Sequence, residues 1–357
     1  MTKRENTRWF GHGCSCCREP GAIEAEGMSP GGLFASSGLA HGGNGGTASA
    51  RRIDIHHHVA PPKWLDEVIG RDLLQPNTRS WSVEQSIEEM EKHGVAASAA
   101  SITNPGLWFG DVAQTKRLCR ESNDFMAQLV RDRPQRFAFF AATPLPDADG
   151  ALAEIAYALD TLKADGIGLF TSYRDIWLGN EAFAPVMEEL NRRKANVFVH
   201  PTAAQCCMNL LPDVQPGIIE YGTDTTRAIL GLLTSGQAVR FPDIKWIWSH
   251  AGGSAPFFAG RIEHSVPRMK DHKTRLPNGA IHEMKRFFYD VAGASNRGAL
   301  VSLMELVEIS QVLFGTDYPA QKSADAIAGL TGMKFSEAEM NAVNRDNALR
   351  LLPRLKG

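Results

Sequence analysis

The 357-residue chain lacks a surplus of charge: 38 Lys and Arg stand against 40 Asp and Glu, a formal net charge of -2. Without a basic excess nothing draws it onto a phosphate backbone or an anionic lipid surface, so neither nucleic acid nor membrane is expected as a partner. Long apolar runs are missing as well, each being interrupted short of the roughly 20 residues a spanning helix needs. Cysteine is sparse, with Cys14, Cys16 and Cys17 near the start and Cys119, Cys206 and Cys207 in the body. Disulfide frameworks mark short secreted chains, so reduced thiols in a cytosol are expected here. The one stretch resembling a secretory leader, Met28 to Ala40, is broken by Gly, Ser and Pro and has no twin arginine, so a cytoplasmic location is expected. With 43% hydrophobic and 22% charged residues, what remains is a soluble globular class rather than a collagen, a coiled coil or a disordered chain.

Glycine is unevenly spread, with 11 of its 33 copies in the first 50 residues. That segment has no apolar period of 2 or 3.6 and cannot offset its ordering entropy, so residues 1–50 are expected to be a disordered extension. His12 with Cys14, Cys16 and Cys17 has metal-ligand chemistry, but a structural zinc site usually draws on two separated pairs. Incidental thiols on a tail are the better account. Length alone suggests about two domains at roughly 150 residues each. Setting the tail aside leaves one domain over 51–357.

From residue 52 onward, short apolar or β-branched runs alternate with amphipathic segments, the rhythm of βα units. Eight strands are expected: Ile53 to His56, Ala96 to Ile102, Phe137 to Ala142, Gly166 to Phe170, Val197 to His200, Lys245 to Ser249, Phe288 to Val291 and Gln311 to Phe314. Ser82 followed by Gln85 opens a helix that Gly94 stops, and Ser336 with Glu339 opens the last helical stretch, which Pro353 closes. Eight such units predict an α/β fold, a (β/α)8 TIM barrel with its site at the carboxyl ends of the strands. The rival is an open doubly wound sheet, and a barrel should gather polar residues from many strand ends into one mouth.

Strand one ends in Asp54-Ile55-His56-His57-His58. Alternation puts His56 and His58 on one face and His57 on the other, against the helical layer. Strand five ends in His200, strand six in Ser249-His250-Ala251-Gly252-Gly253, and strand eight in Gly315-Thr316-Asp317-Tyr318-Pro319. Any one of these suits a hydrogen-bonded structural residue. Four strand ends in register are hard to explain structurally.

These motifs resemble the amidohydrolase superfamily, in the branch related to aminocarboxymuconate semialdehyde decarboxylase. The likeness covers about residues 52 to 355, including Asn347-Ala348 and Arg350-Leu351-Leu352-Pro353. Ser101-Ile102-Thr103-Asn104-Pro105-Gly106 and Thr143-Pro144-Leu145-Pro146 look most similar to 6-methylsalicylate decarboxylase-like proteins. The resemblance implies a nonoxidative decarboxylase of a small aromatic acid, with zinc or manganese as cofactor and a dimeric or tetrameric assembly. It makes His56, His58, His200 and Asp317 the metal ligands and His250 and Asp317 the catalytic pair, with Asp317 delivering a proton and His250 relaying it or stabilising charge.

The same constellation also suits a hydrolase of a lactone or amide, and fold does not separate the two reactions. A barrel without chemistry, serving as a binding subunit, has no need of the full set. Family decarboxylases for the semialdehyde carry an arginine near strand two, whereas this chain reads Ser98-Ala99-Ala100-Ser101, which argues for a monocarboxylate. Arg261 and Arg268 follow His250, and Arg268 sits one place off the family's spacing, which favours a surface or helix-packing role. Trp108, Phe109, Phe170, Tyr173, Trp177 and Tyr289 are the aromatic residues expected around the mouth, two or three of them touching substrate. Glu220 and Asp224 to Arg227 suit either the site's neighbourhood or a capped helix start. Asp290 is expected behind a ligand histidine. His93, His264, His272 and His282 have no strand-end context and suit surface or structural roles.

Overall fold

The structure, a computed structural model, describes residues 51–71, 76–208 and 210–356. The first 50 residues, with the tail cysteines and His12, lie outside the described residues. Eight parallel strands follow one another in a single sheet in chain order: β1 (Arg52–His58), β2 (Val95–Ser101), β3 (Phe137–Ala141), β4 (Gly166–Phe170), β5 (Asn196–His200), β6 (Lys245–Trp248), β7 (Phe288–Asp290) and β8 (Val312–Leu313). All eight expected strands are present, with no end shifted by more than two residues and Gly166–Phe170 matched at both ends. Sequential order rules out the doubly wound alternative. The edges meet because Ile55 N donates to Phe314 O at 2.9 Å, His58 N to Tyr318 O at 2.8 Å and Asp317 N to His56 O at 2.8 Å. The result is a nearly closed barrel, wrapped by helices that include α1 (Val83–Lys92), α2 (Val112–Asp132), α3 (Pro216–Ser235) and α4 (Ala255–Ser265).

Alternation along the strands sorts the core into two parts. Ile53, Ile55, Ala99, Ala138, Phe140, Phe198, Ile247 and Leu313 fill the barrel, and Leu351 and Leu352 plug its amino end. Their neighbours, such as Phe139, Ile167, Val197 and Trp248, face the helices. Truncating a filler such as Phe198 to Ala would cost about 3–5 kcal/mol. The expected helix signals are in place: Ser82 Oγ accepts from Gln85 N at 3.2 Å, Gly94 turns left-handed at φ +63°, and Ser336 and Glu339 cap each other.

One detail of β1 is not visible in strict alternation. Ile53 and Ile55 pack inside the barrel, yet the His56 ring also lies inside, 5.1 Å from Phe198. Two consecutive inward residues require a break in pleat, and the pairing of β1 with β2 shifts register between Asp54 and His57. This bulge re-aims His56 and His58 inward and leaves His57 facing α1, where it meets Ser86 Oγ at 3.0 Å.

Candidate metal centre and active site

Four side chains from three places on the barrel converge at its carboxyl end. His56 and His58 close β1, His200 closes β5, and Asp317 lies just beyond β8. One ligand atom from each falls within 4.8 Å of all the others, and all four residues are buried. His56 Nε2 and His58 Nε2 stand 3.0 Å apart, and Asp317 Oδ1 is 3.3 Å and 3.1 Å from them. His200 Nε2 is buried without a hydrogen-bond partner. A buried polar atom with no partner is costly, and nitrogens that face each other cannot all satisfy one another. Three imidazoles and a carboxylate around one point suit a divalent ion such as zinc or manganese, so the residues present fit the expected metal.

Each imidazole is oriented from behind through its other nitrogen. His56 Nδ1 is 2.9 Å from Asp290 Oδ2, His58 Nδ1 is 3.1 Å from Ser101 Oγ, and His200 Nδ1 is 2.9 Å from Pro201 O. A proton on Nδ1 in these pairs leaves Nε2 as the lone pair turned inward. Asp290 also accepts at Oδ1 from His250 N (3.1 Å) and Ala292 N (2.9 Å), which ties His250 to the same support. Asp54 performs the matching task at the seam, accepting from His56 N, Thr316 N and Thr316 Oγ1 at 3.0, 3.0 and 2.6 Å. The expected place of Asp290 behind a ligand histidine is observed, whereas the double duty of Asp290 and the seam role of Asp54 give no signal in composition or periodicity.

Both residues read as catalytic hold unusual backbone. Asp317 has φ +63° and His250 φ +52°, followed by Ala251 at +56°. Such conformations cost about 1–3 kcal/mol each for a non-glycine residue and gather where geometry is fixed for function. Gly253, at φ +63°, closes the turn, and a Cβ there would collide with the Gly222 backbone of α3. His250 Nδ1 faces Ala292 O at 2.8 Å, and its buried Nε2 has no partner.

Charge in the cluster is unequally distributed. Burial works against a charge on His56, but Asp290 and Asp317 together outweigh it and hold the imidazole up at about 10. Burial pushes His58 down, Asp317 only partly opposing it, and burial together with the neighbouring histidines pushes His200 well down. Asp317 pays for burial too, yet His56 and His58 hold its carboxyl well below the usual range. In the protein alone a proton on His56 therefore supplies the positive charge that two carboxylates require.

A cavity of about 410 Å³ opens over the cluster, lined by His58, His200, His250 and Asp317 on its floor and by Asn104, Tyr221, Ser254 and Gln321 on its walls. No Arg or Lys lines it among the described residues. Gln321 Nε2 donates to Asp317 Oδ2 at 3.1 Å. Tyr221 is its aromatic wall, with its ring 6.3 Å from that of His200 and its hydroxyl pushed up to about 12 by burial and the Asp317 charge. Tyr221 and Gln321 escaped the sequence reading, because neither lies at a strand end.

Of the aromatic set expected at the mouth, Phe170 lies beside the cluster, its ring 6.1 Å from that of His200, while Phe109, Trp177 and Tyr289 are placed otherwise. Trp108, Phe170 and Tyr173 line an adjoining cavity of about 260 Å³, and Phe109 lies under the Arg71 guanidinium at 4.8 Å. Tyr289 is core, its hydroxyl donating to Met284 O at 2.9 Å, and Trp177 Nε1 donates to Asp224 at 2.5 Å. Glu220 and Asp224 to Arg227 are not a helix start but lie within α3, which begins at Pro216. Buried Asp224 also accepts from the hydroxyls of Thr171, Ser172 and Thr202, joining α3 to the ends of β4 and β5. Arg261 and Arg268 are exposed and reach none of this, as the surface reading expects. His93 pairs with Glu89, His264 with Arg268 and His272 with Met269 O, while His282 lies 3.9 Å from Glu283, all away from the cluster.

A barrel with three histidines and an aspartate gathered at the carboxyl ends of its strands is a metal-dependent hydrolase type of (β/α)8 fold. Comparison with known proteins makes the family specific. The amidohydrolase profile (Amidohydro_2) matches residues 53–354, and the chain belongs to that family. It is 35% identical to the 6-methylsalicylic acid decarboxylase of Penicillium expansum over 320 residues, covering 86% of this chain and 97% of that protein. It is 34% identical to the decarboxylase yanB of Aspergillus niger over 325 residues, 85% and 88% of the two chains. Among solved structures it resembles dihydroxybenzoic acid decarboxylase from Polaromonas sp. JS666, determined with bound manganese and 2-nitroresorcinol, with a TM-score of 0.74, 21% identity and coverage of 85% and 96%.

Proposed function

We propose that the protein is a metal-dependent, nonoxidative decarboxylase, a carboxy-lyase, acting on a small aromatic acid of the hydroxybenzoate or 6-methylsalicylate type. The observation that carries this is the four-ligand cluster opening into a cavity that no Arg or Lys lines among the described residues, within a chain over a third identical to a 6-methylsalicylic acid decarboxylase. His56, His58, His200 and Asp317 would hold the ion. A divalent ion there, zinc by preference and manganese as the alternative, supplies the positive charge for a carboxylate and a neighbouring phenolate, a template role. With no Arg or Lys in the lining, a second carboxylate on the ring would lack a counter-charge.

The remaining work falls to residues of the chain. Loss of carbon dioxide from an aromatic ring requires a proton at the ring carbon that bears the carboxylate, followed by cleavage of that carbon–carbon bond. His250 suits the proton relay: its Nδ1 is fixed by Ala292 O, and its unpartnered Nε2 is turned to the cavity. Asp317 is the other carrier. Its Oδ2, on the side held by Gln321, is where a proton would be delivered, while Oδ1 stays with the histidines. Tyr221 offers a flat face to the ring.

Incubating metal-loaded protein with a panel of hydroxybenzoates, 6-methylsalicylate included, should release carbon dioxide from at least one acid. No release from any, with turnover of a lactone or amide, would replace this proposal with the hydrolase. We also propose a cytoplasmic homodimer or homotetramer. The exposed Phe257 and Ile218 side chains support assembly, and light scattering giving a monomer would refute it.

A further inference from the structure

The connection from β5 to α3 carries a pair of adjacent thiols that the decarboxylation chemistry does not use. Cys206 and Cys207 sit in a single 3-10 turn, Gln205–Cys207, six residues beyond His200. Their sulfurs are 3.1 Å apart, close contact for two thiols and well outside the roughly 2.05 Å of a disulfide bond. Cys206 is exposed and Cys207 half-buried, whereas Cys119 is buried and its thiol is pushed well up by that burial. The two sulfurs are also not equivalent. Arg227 Nη2 approaches Cys207 Sγ at 3.7 Å. A hydrogen bond to Cys207, with burial second, pushes Cys206 up to about 11. Cys207 is thus the sulfur that faces the guanidinium, and Cys206 the one turned away from it toward solvent.

We propose that Cys206 and Cys207 form a redox-modification site for hydroperoxides, in which Cys207 is the sulfur oxidised first and Cys206 resolves it to a vicinal disulfide. The Cys207 thiolate attacks the peroxide oxygen and breaks the oxygen–oxygen bond. The alcohol or water leaves with a proton, and Cys207 becomes a sulfenic acid. Cys206 then attacks that sulfur, its proton joining the departing hydroxide as water. In total, two thiols lose two electrons and two protons, and the hydroperoxide is reduced by the same two electrons. An accessible thiol beside a cation, with a second thiol in contact to resolve it, is the arrangement that makes oxidation selective and reversible.

Hydrogen peroxide is the probe, applied to the full-length protein with dimedone present, followed by peptide mass mapping that separates Cys206 and Cys207 from Cys14, Cys16, Cys17 and Cys119. The wild-type peptide should lose two hydrogens and regain them with a thiol reductant. C206S should accumulate a dimedone adduct on Cys207, and C207S should form neither adduct nor disulfide at the same dose. Both variants should keep the basal turnover and unfolding midpoint of the wild type, since neither sulfur lines the metal cavity. An unchanged wild-type peptide would overturn the site. An adduct on Cys206 of C207S, with none on Cys207 of C206S, would overturn the assignment of roles.

Discussion

Replacing Asp290 by Asn tests whether the metal centre is held from behind. Asp290 Oδ1 accepts from two backbone amides, those of His250 and Ala292, and Oδ2 faces His56 Nδ1 at 2.9 Å. Asparagine keeps the shape but offers only one oxygen. The two amides are fixed and need an acceptor, so that oxygen should stay with them and the NH2 should turn to His56. His56 Nδ1 would then have to accept, moving the ring proton to Nε2, the nitrogen that should face the ion. Loss of such a supporting partner typically costs about 10- to 100-fold in metal affinity or activity. That range corresponds to roughly 1.4–2.8 kcal/mol of binding free energy. Competition against a chromophoric chelator measures it, with circular dichroism to establish that the variant is folded. A folded Asp290→Asn protein with wild-type metal affinity and turnover would refute the argument.

Other perturbations separate the seam, the cavity and the charge balance. Asp54→Ala strands buried donors of Thr316 and His56, each costing about 1–3 kcal/mol, so the urea midpoint should fall clearly; an unchanged midpoint would remove Asp54 from the closure. Tyr221→Ala should raise KM for the aromatic acid by roughly 2- to 10-fold, the worth of an aromatic contact, with a smaller effect on kcat; an unchanged KM would exclude the ring as a substrate wall. The raised His56 value stabilises metal-free protein fully below the unfolded value near 6.5, and that stability is lost as pH rises toward about 10, because the unfolded chain sheds its proton first. Metal-stripped protein should therefore lose thermal stability between pH 6.5 and 10, and a flat or rising midpoint over that window would contradict the charge balance.

Much of this molecule was legible in its sequence because the information is local. Each strand is an apolar run between helical segments, so the count of eight and the barrel follow from rhythm. His56, His58, His200, His250 and Asp317 each end such a run, and ending a strand is what places a residue at the mouth. Tyr221 was hidden because it reaches the cavity from inside α3, at a place set by the close approach of Gly222 to Gly253. Two aromatic residues near strand ends face away from the mouth for the reverse reason: Tyr289 and Trp177 satisfy buried carbonyl and carboxylate partners that no pattern announces. The bulge in β1 was equally silent, since Ile55 and His56 facing the same way breaks the very periodicity by which strands are recognised.

On the proposed function, one divalent ion held by His56, His58, His200 and Asp317 would make this barrel a decarboxylase. Titrating metal-stripped protein with zinc or manganese while following carbon dioxide release from the best hydroxybenzoate tests it most directly. Release should rise in proportion to added ion, level off at one equivalent per chain, and be lost in His200→Ala at the same loading. Full release from stripped protein, or undiminished release from His200→Ala, would show that the reaction does not depend on an ion held at these four residues.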